Sequence, residues 1–307
     1  RDGGFDFTIE KDIQKYLGVD VKLKDGVLEM KQPYLIKQII NAIGFDENVL
    51  SKPTPMSEAV CKNSDGMERK EKWNYRSLIG MLNYLAQTTR PDISMPVHQC
   101  ARFTNDPKLS HERAVKRIVK YLIGTQELGI KFQIDRNKGL EAFADANFAN
   151  DWNKDEPDDM ENVLSKTCYI IYYMGVPIVW ASKLQTKIAL STTEAEYMAL
   201  SKCLKDVIPI MNLMREISDY LTIKYEKPII SCKVFEDNES AIKVAKAPIM
   251  TPRTKHIALE YHHFRDYITK KLIKILPIRS KDQNADILTK PLGKQAFEIL
   301  REKLLGQ

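Results

Sequence analysis

Apolar and polar positions alternate at the start of the chain, where Tyr16-Leu17-Gly18-Val19-Asp20-Val21-Lys22-Leu23 meets Lys24-Asp25-Gly26 and then a second short run, Val27 to Met30. Alternation on both sides of an Asp-Gly pair predicts a β-hairpin. The spacing then turns helical: Pro33 to Gly44 carries apolar residues three and four apart, with proline first and glycine last. A stretch rich in Pro, Ser and charge from Asp46 to Lys72 predicts a loop, and Tyr75–Gln87 and Asp92–Phe103 predict two helices divided by Arg90-Pro91. In a further helix, His111–Leu122, residues Ala114, Val115, Ile118, Val119 and Leu122 share one side, while Arg113, Lys116, Arg117 and Lys120 share the other. That basic stripe reads either as a solvated helix face or as a surface that tracks phosphates.

From Gly139 onward strands and helices alternate. Strands are predicted at Leu140–Phe148, Lys166–Met174 and Ile178–Ala181, then a long helix at Thr193–Leu221, a strand at Ile229–Phe235 and a helix from Asn238. A helix around Tyr261–Lys270, a strand at Ile273–Ile278 and a final helix from Asn284 complete the pattern. Three successive strands followed by helix, strand, helix predict an α/β fold with a mixed sheet flanked by helices.

Composition narrows the possibilities only a little. At 307 residues and 43% apolar, the chain can form two or three domains. It has no run of about 18 apolar residues, so no membrane-spanning helix is expected. Arg1-Asp2-Gly3-Gly4 is followed by no hydrophobic segment, so no secretory signal is expected, and the absence of an initial Met suggests a fragment. The five cysteines are far apart in sequence, which argues against a zinc or redox motif and for reduced thiols inside a cell. Forty-seven basic residues against 41 acidic ones are compatible with a polyanionic partner.

Four acids stand where elements begin or end. Asp145 lies among small and apolar neighbours in the first strand of the second half, in Phe143-Ala144-Asp145-Ala146. Asp237 follows a strand and precedes a helix, where an Asp is also a common N-cap. Asp286 opens the last predicted helix, where the helix dipole favours an acid. Glu196 is different, because on a helical projection it falls inside the apolar stripe of Ala199, Leu200, Cys203, Leu204, Val207 and Met211. A carboxylate facing a sheet is costly unless a cation meets it. Glu194, two residues earlier, projects outside that stripe and reads as a solvated first-turn acid. Magnesium takes oxygen ligands from a few carboxylates, and two such ions can drive phosphodiester hydrolysis. His256, His262 and His263 lie close together, but without a cysteine or a second His pair at ligand spacing they read as packing or phosphate contacts alongside Arg253 and Lys255.

At these positions the sequence resembles the polymerase of Ty1/copia-type LTR retrotransposons, and within it the type I ribonuclease H domain. The resemblance covers essentially the whole chain. It rests on Tyr16-Leu17-Gly18, Tyr75-Arg76-Ser77-Leu78-Ile79-Gly80, Thr89-Arg90-Pro91-Asp92, and Arg117 with Tyr121 and Gly124-Thr125. It continues through Ala144-Asp145-Ala146, Trp180-Ala181-Ser182-Lys183, Ser191 to Tyr197, Asp237-Asn238-Glu239-Ser240-Ala241, Arg253 to Ile257 and Ala285 to Leu292. The chain departs from the family at Asn147, Phe148 and Asn150, where the family usually has an acid, a Trp and a Gly, and the loop Arg279–Gln283 lacks the histidine of some ribonucleases H.

The resemblance implies a ribonuclease H-like mixed sheet over residues 136–307, a helical thumb and tether over 31–135, and the end of a palm with a primer-grip-like hairpin over 1–30. It implies an endonuclease that cuts the RNA strand of an RNA–DNA hybrid, with two Mg2+ ions, or Mn2+ in their place, held by Asp145, Glu196, Asp237 and Asp286. Arg113, Lys116, Arg117, Lys120, Arg253, Lys255 and His256 would contact nucleic acid. The paired aspartates of a polymerase site are absent. The expected partners are the upstream polymerase and integrase parts of the same polyprotein, in a cytoplasmic virus-like particle. A catalytically decayed binding remnant and an integrase or transposase are the competing readings, although the latter end their acidic set with Glu.

Overall fold

The computed structural model describes residues 15–46, 48–62, 66–149, 163–220, 230–247 and 263–307. The N-terminal alternation forms β1 (Lys15–Tyr16), β2 (Val19–Lys24) and β3 (Val27–Lys31). Asp25 and Gly26 both have positive φ, as a two-residue hairpin turn of primed type requires. The strand expected to run unbroken from Tyr16 to Leu23 instead turns at Leu17-Gly18, whose φ angles are likewise positive. Helix α1 (Pro33–Ala42) ends in a Schellman motif: Gly44 N–H donates to Asn41 O, and Phe45 N–H to Ile40 O. Then come α2 (Tyr75–Thr88), a 3-10 turn Pro91–Ile93, α3 (Ser94–Ala101) and α4 (Leu109–Ile123). A strand not apparent in the sequence, β4 (Ile130–Phe132), pairs with β3. Gly129 permits that pairing, since a Cβ there would sit 2.2 Å from Met30 O.

The second half contains β5 (Leu140–Asn147), β6 (Lys166–Tyr173), β7 (Val176–Leu184), α5 (Thr192–Tyr220), β8 (Cys232–Glu236), α6 (Glu239–Lys246), α7 (Arg265–Thr269), β9 (Ile273–Pro277) and α8 (Lys294–Leu305). The sheet order is β7-β6-β5-β8-β9, with antiparallel pairing among β5, β6 and β7 and parallel pairing of β5 with β8 and β8 with β9. This is the mixed sheet expected from the sequence. The predicted final helix is divided: Asn284–Leu288 is a 3-10 turn and α8 begins only at Lys294. Pro291 accounts for the break, because it lacks an N–H and disfavours a helical residue before it.

Strand alternation gives the sheet two apolar faces. Ala142, Ala144, Tyr169, Ile171 and Val234 pack with Leu200, Cys203, Leu204, Val207 and Met211 of α5. On the other face Phe143, Cys168, Ile170 and Tyr172 join one core with residues of α1 to α4 and α8, including Ile36, Leu82, Ile118 and Leu304. The indole N–H of Trp180 on β7 also donates to Ala86 O on α2, at 2.9 Å. Among the described residues, no helix is long and apolar enough to cross a membrane.

Candidate active site

Neighbouring parallel strands set the first two acids side by side. Phe143 of β5 lies opposite Phe235 of β8, so two residues further along Asp145 is level with Asp237. Glu196 reaches the same place from the start of α5. Ligand oxygens of Asp145, Glu196 and Asp237 lie within 4.8 Å of one another, with Asp145 and Glu196 buried and Asp237 half-buried. Asp286 lies beside this group but not within that mutual distance. Its carboxylate is paired with Lys290 at 3.0 Å, and its charge acts on Asp145.

In three cases a neighbouring residue carries out the capping role that could otherwise have occupied the acid. Asn238, not Asp237, caps α6, accepting from Ala241 N–H at 2.9 Å. Gln283 caps the turn that carries Asp286, accepting from Ala285 N–H, while its amide donates to Ala144 O at 2.8 Å and fixes the turn to β5. Ser182 Oγ and Cys168 Sγ both reach Leu288 O and anchor the other end of that turn. At the start of α5, Ser191 Oγ accepts from Glu194 N–H, and the Glu194 carboxylate accepts from Leu190 N–H at 2.7 Å. Glu194 is therefore not solvated as its projection suggested; it is buried, with its carboxylate turned back onto the Leu190 N–H just ahead of α5. Glu196 is left to face the sheet.

A further acid, Glu236, was not singled out in the sequence. It immediately precedes Asp237, is fully buried, and accepts from Asn238 N–H through Oε1. Strand alternation alone could not reveal it, because its role depends on α5 crossing the end of β8. Neither Glu196 Oε2 nor Glu236 Oε2 has a hydrogen-bond partner among the described residues. Burial, followed by the charges of Glu236, Asp145 and Asp237, pushes the Glu196 carboxyl up to about 11. Burial, followed by Asp286 and Asp237, pushes Asp145 up to about 8. Glu236 is held well above the carboxylate range, mainly by burial. Crowded, desolvated carboxylates with idle oxygens match the needs of a divalent, oxygen-seeking metal ion.

The α4 stripe has a different setting. Lys116 lies between Glu71 and Glu112, at 3.0 and 3.1 Å, and Arg117 donates to Thr54 Oγ1 at 2.9 Å. The Lys120 ammonium lies over the Phe45 ring, and Arg113 is exposed. Arg253, Lys255 and His256 lie outside the described residues.

The chain is 32% identical over 303 residues to the retrovirus-related Pol polyprotein from transposon RE1 of Arabidopsis thaliana, across 98% of this chain and 19% of that protein. It is 34% identical over 228 residues to the one from transposon TNT 1-94 of Nicotiana tabacum, across 74% of this chain and 16% of that protein. The chain is similar over nearly its whole length to Ty1/copia-type Pol polyproteins. It spans about a fifth of the length of such relatives. No family model matches. The solved structures that resemble this Pol segment include the N-terminal RNase H domain of rv2228c from Mycobacterium tuberculosis, fused to maltose binding protein, at 10% identity and a TM-score of 0.33 over 53% of this chain and 96% of that one. The mixed sheet flanked by helices that the sequence predicts is the one observed.

Proposed function

We propose that this Pol segment is a ribonuclease H that hydrolyses the RNA strand of RNA–DNA hybrids during reverse transcription, with Asp145, Glu196, Asp237 and Asp286 as its catalytic carboxylates. The observation that carries this reading is the cluster of buried, mutually repelling carboxylates at the ends of β5 and β8. Two magnesium ions held there would supply a nucleophilic water and stabilise the departing 3′ oxygen, leaving 5′-phosphate and 3′-hydroxyl ends. Asp145 and Glu196 provide the rigid part of the cage, since a strand and a helix core hold them. Asp286 lies on a short turn and can exchange its Lys290 partner for the site. Glu236 fixes the backbone after β8 through Asn238 and so positions Asp237.

In this reading residues 136–307 form the nuclease, 31–135 the thumb and tether, and 1–30 the end of a palm, within a polyprotein that also carries polymerase and integrase parts. Arg113 and Lys120 on α4, with Arg253, Lys255 and His256, would meet hybrid phosphates; Lys116 and Arg117, which have internal partners, would contribute less. The chain by itself would not extend a primer. The test is incubation of the purified chain with a labelled RNA–DNA hybrid, with and without magnesium. Magnesium-dependent cutting of the RNA strand, lost in Glu196→Gln, supports the proposal; hybrid binding without any cutting would mark the chain as a decayed binding remnant.

A further inference from the structure

At the edge of the acid cluster stands a cation, Lys290, whose ammonium lies 3.0 Å from Asp286 Oδ1. The two residues are four apart, on the Asn284–Leu288 turn and just beyond it, so helical spacing sets one side chain over the other. The backbone that carries them is pinned to two strands. Gln283 ties the start of the turn to Ala144 O of β5, Ser182 of β7 ties Leu288 O, and Asn147 at the end of β5 donates to Thr289 O at 3.4 Å. Pro291 then disfavours a helical Lys290, so the chain leaves the turn at that residue. What can move here is the pair of side chains, not the turn.

The Lys290 side chain is 50% exposed and that of Asp286 only 20%, so the ammonium, on its flexible four-carbon stem, can pass into water while the carboxylate stays. Its charge nevertheless belongs to the cluster. Burial works against the ammonium, but Asp286, and after it Asp145 and Asp237, outweigh burial and raise the Lys290 pKa. Lys290 in return is one of the groups that pull the Asp145 carboxyl down against its burial. From one side it supplies, weakly, the positive charge that the crowded acids need. It also opposes any other cation there, because it occupies Asp286 Oδ1 and repels a like charge arriving at the neighbouring oxygens.

We infer that Lys290 is a positioning residue that competes with the divalent ion for Asp286: its ammonium holds that carboxylate at the margin of the cluster and has to leave before Asp286 can complete a metal cage. The inference rests on the nuclease reading above. It makes Lys290 a brake on metal uptake, one that sets how much divalent ion the chain requires.

The experiment follows the paramagnetic resonance signal of free Mn2+ as it is titrated into the whole chain without nucleic acid, so that no cutting enters the measurement. Lys290→Met, which keeps a similar stem and removes the charge, should bind Mn2+ about fivefold more tightly than the wild type, the scale of a half-exposed ion pair. Lys290→Arg, which keeps the charge, should stay within about twofold of the wild type. In an Asp286→Asn background the gain from Lys290→Met should shrink to less than about twofold, because the two residues act on metal through one contact. A pair that merely supports the turn would lower the thermal midpoint of Lys290→Met and leave its Mn2+ affinity unchanged, and that result would overturn the inference. So would weaker Mn2+ binding by Lys290→Met, an equal gain in Lys290→Arg, or a full gain in the Asp286→Asn background. If the wild type binds Mn2+ and loses it in Asp145→Asn while Lys290→Met changes nothing, only the role of Lys290 fails. If the wild type binds no Mn2+, the nuclease reading fails with it.

Discussion

Two of the buried groups of charged side chains in this molecule have opposite environments. In the helical half, Arg90 and Asp92 are fully enclosed and joined by two hydrogen bonds, 2.9 and 2.8 Å. Arg90 also donates to Thr125 O and Oγ1, and Tyr121 Oη donates to Asp92 at 2.6 Å. Burial alone would lower the Arg90 pKa, but Asp92 outweighs it and the group is held charged. In the sheet half, Asp145, Glu196, Glu236 and Asp237 face one another; Lys290, paired with Asp286, lowers Asp145 in part, yet burial and mutual repulsion raise three of the four acids. A buried charge with every donor and acceptor used is structural. A group of buried like charges with idle oxygens is stable only when something outside the chain completes it.

The largest expected effect follows from disrupting the first group. Asp92→Asn leaves the Arg90 guanidinium buried without its counter-ion, and should cost roughly 3–5 kcal/mol in urea unfolding. Glu196→Gln, measured without divalent ions at pH 8, should not destabilise the chain and should raise its midpoint, because it removes one of the crowded acids. Equal losses in the two variants would erase the distinction between the groups.

A second expectation sets pH against metal. The folded chain holds Asp145 and Glu196 protonated above their ordinary range, so it binds more protons than the unfolded chain over that interval. Stability of the metal-free chain should therefore be greatest near or below the ordinary Asp value of 3.8, as far as these groups determine it, and should fall as pH rises through about 8. Saturating magnesium should reverse the fall at pH 8. Thermal melts across that range, with and without the ion, provide the check.

Smaller effects separate the two glutamates of α5 and the cations of α4. Glu194→Ala removes a cap and should cost about 1 kcal/mol while leaving cleavage intact. Arg113→Ala and Lys120→Ala should each flatten the salt dependence of hybrid binding by about one unit. Lys116→Ala, whose ammonium is already neutralised by Glu71 and Glu112, should leave the slope unchanged.

The sequence made some of this legible and concealed the rest for physical reasons. Alternation located β2 and β3 and helical spacing located α1, whereas the strands of the mixed sheet showed as runs of apolar residues because β5 and β6 are buried on both faces. The projection that placed Glu196 inside the α5 stripe agrees with its burial. The same projection made Glu194 a solvated acid, because it contains no information about Leu190, whose N–H draws that carboxylate inward. Glu236 and Gln283 acquire their roles from elements distant in sequence, and β4 is too short to show a period. Arg90, Asp92, Tyr121 and Thr125 could be read as a family motif, yet that they form one buried network is apparent only once α4 is packed beside the Pro91–Ile93 turn.

The central claim is that the sheet-half acids wait for a divalent cation, and calorimetric titration of the metal-free chain with magnesium at pH 7, repeated in buffers of different ionisation enthalpy, tests it directly. Carboxyls held protonated must release protons when a metal ion displaces them, so the account predicts saturable binding with net proton release, sharply weakened in Asp145→Asn. Binding without proton release, or binding unchanged in Asp145→Asn, would contradict it.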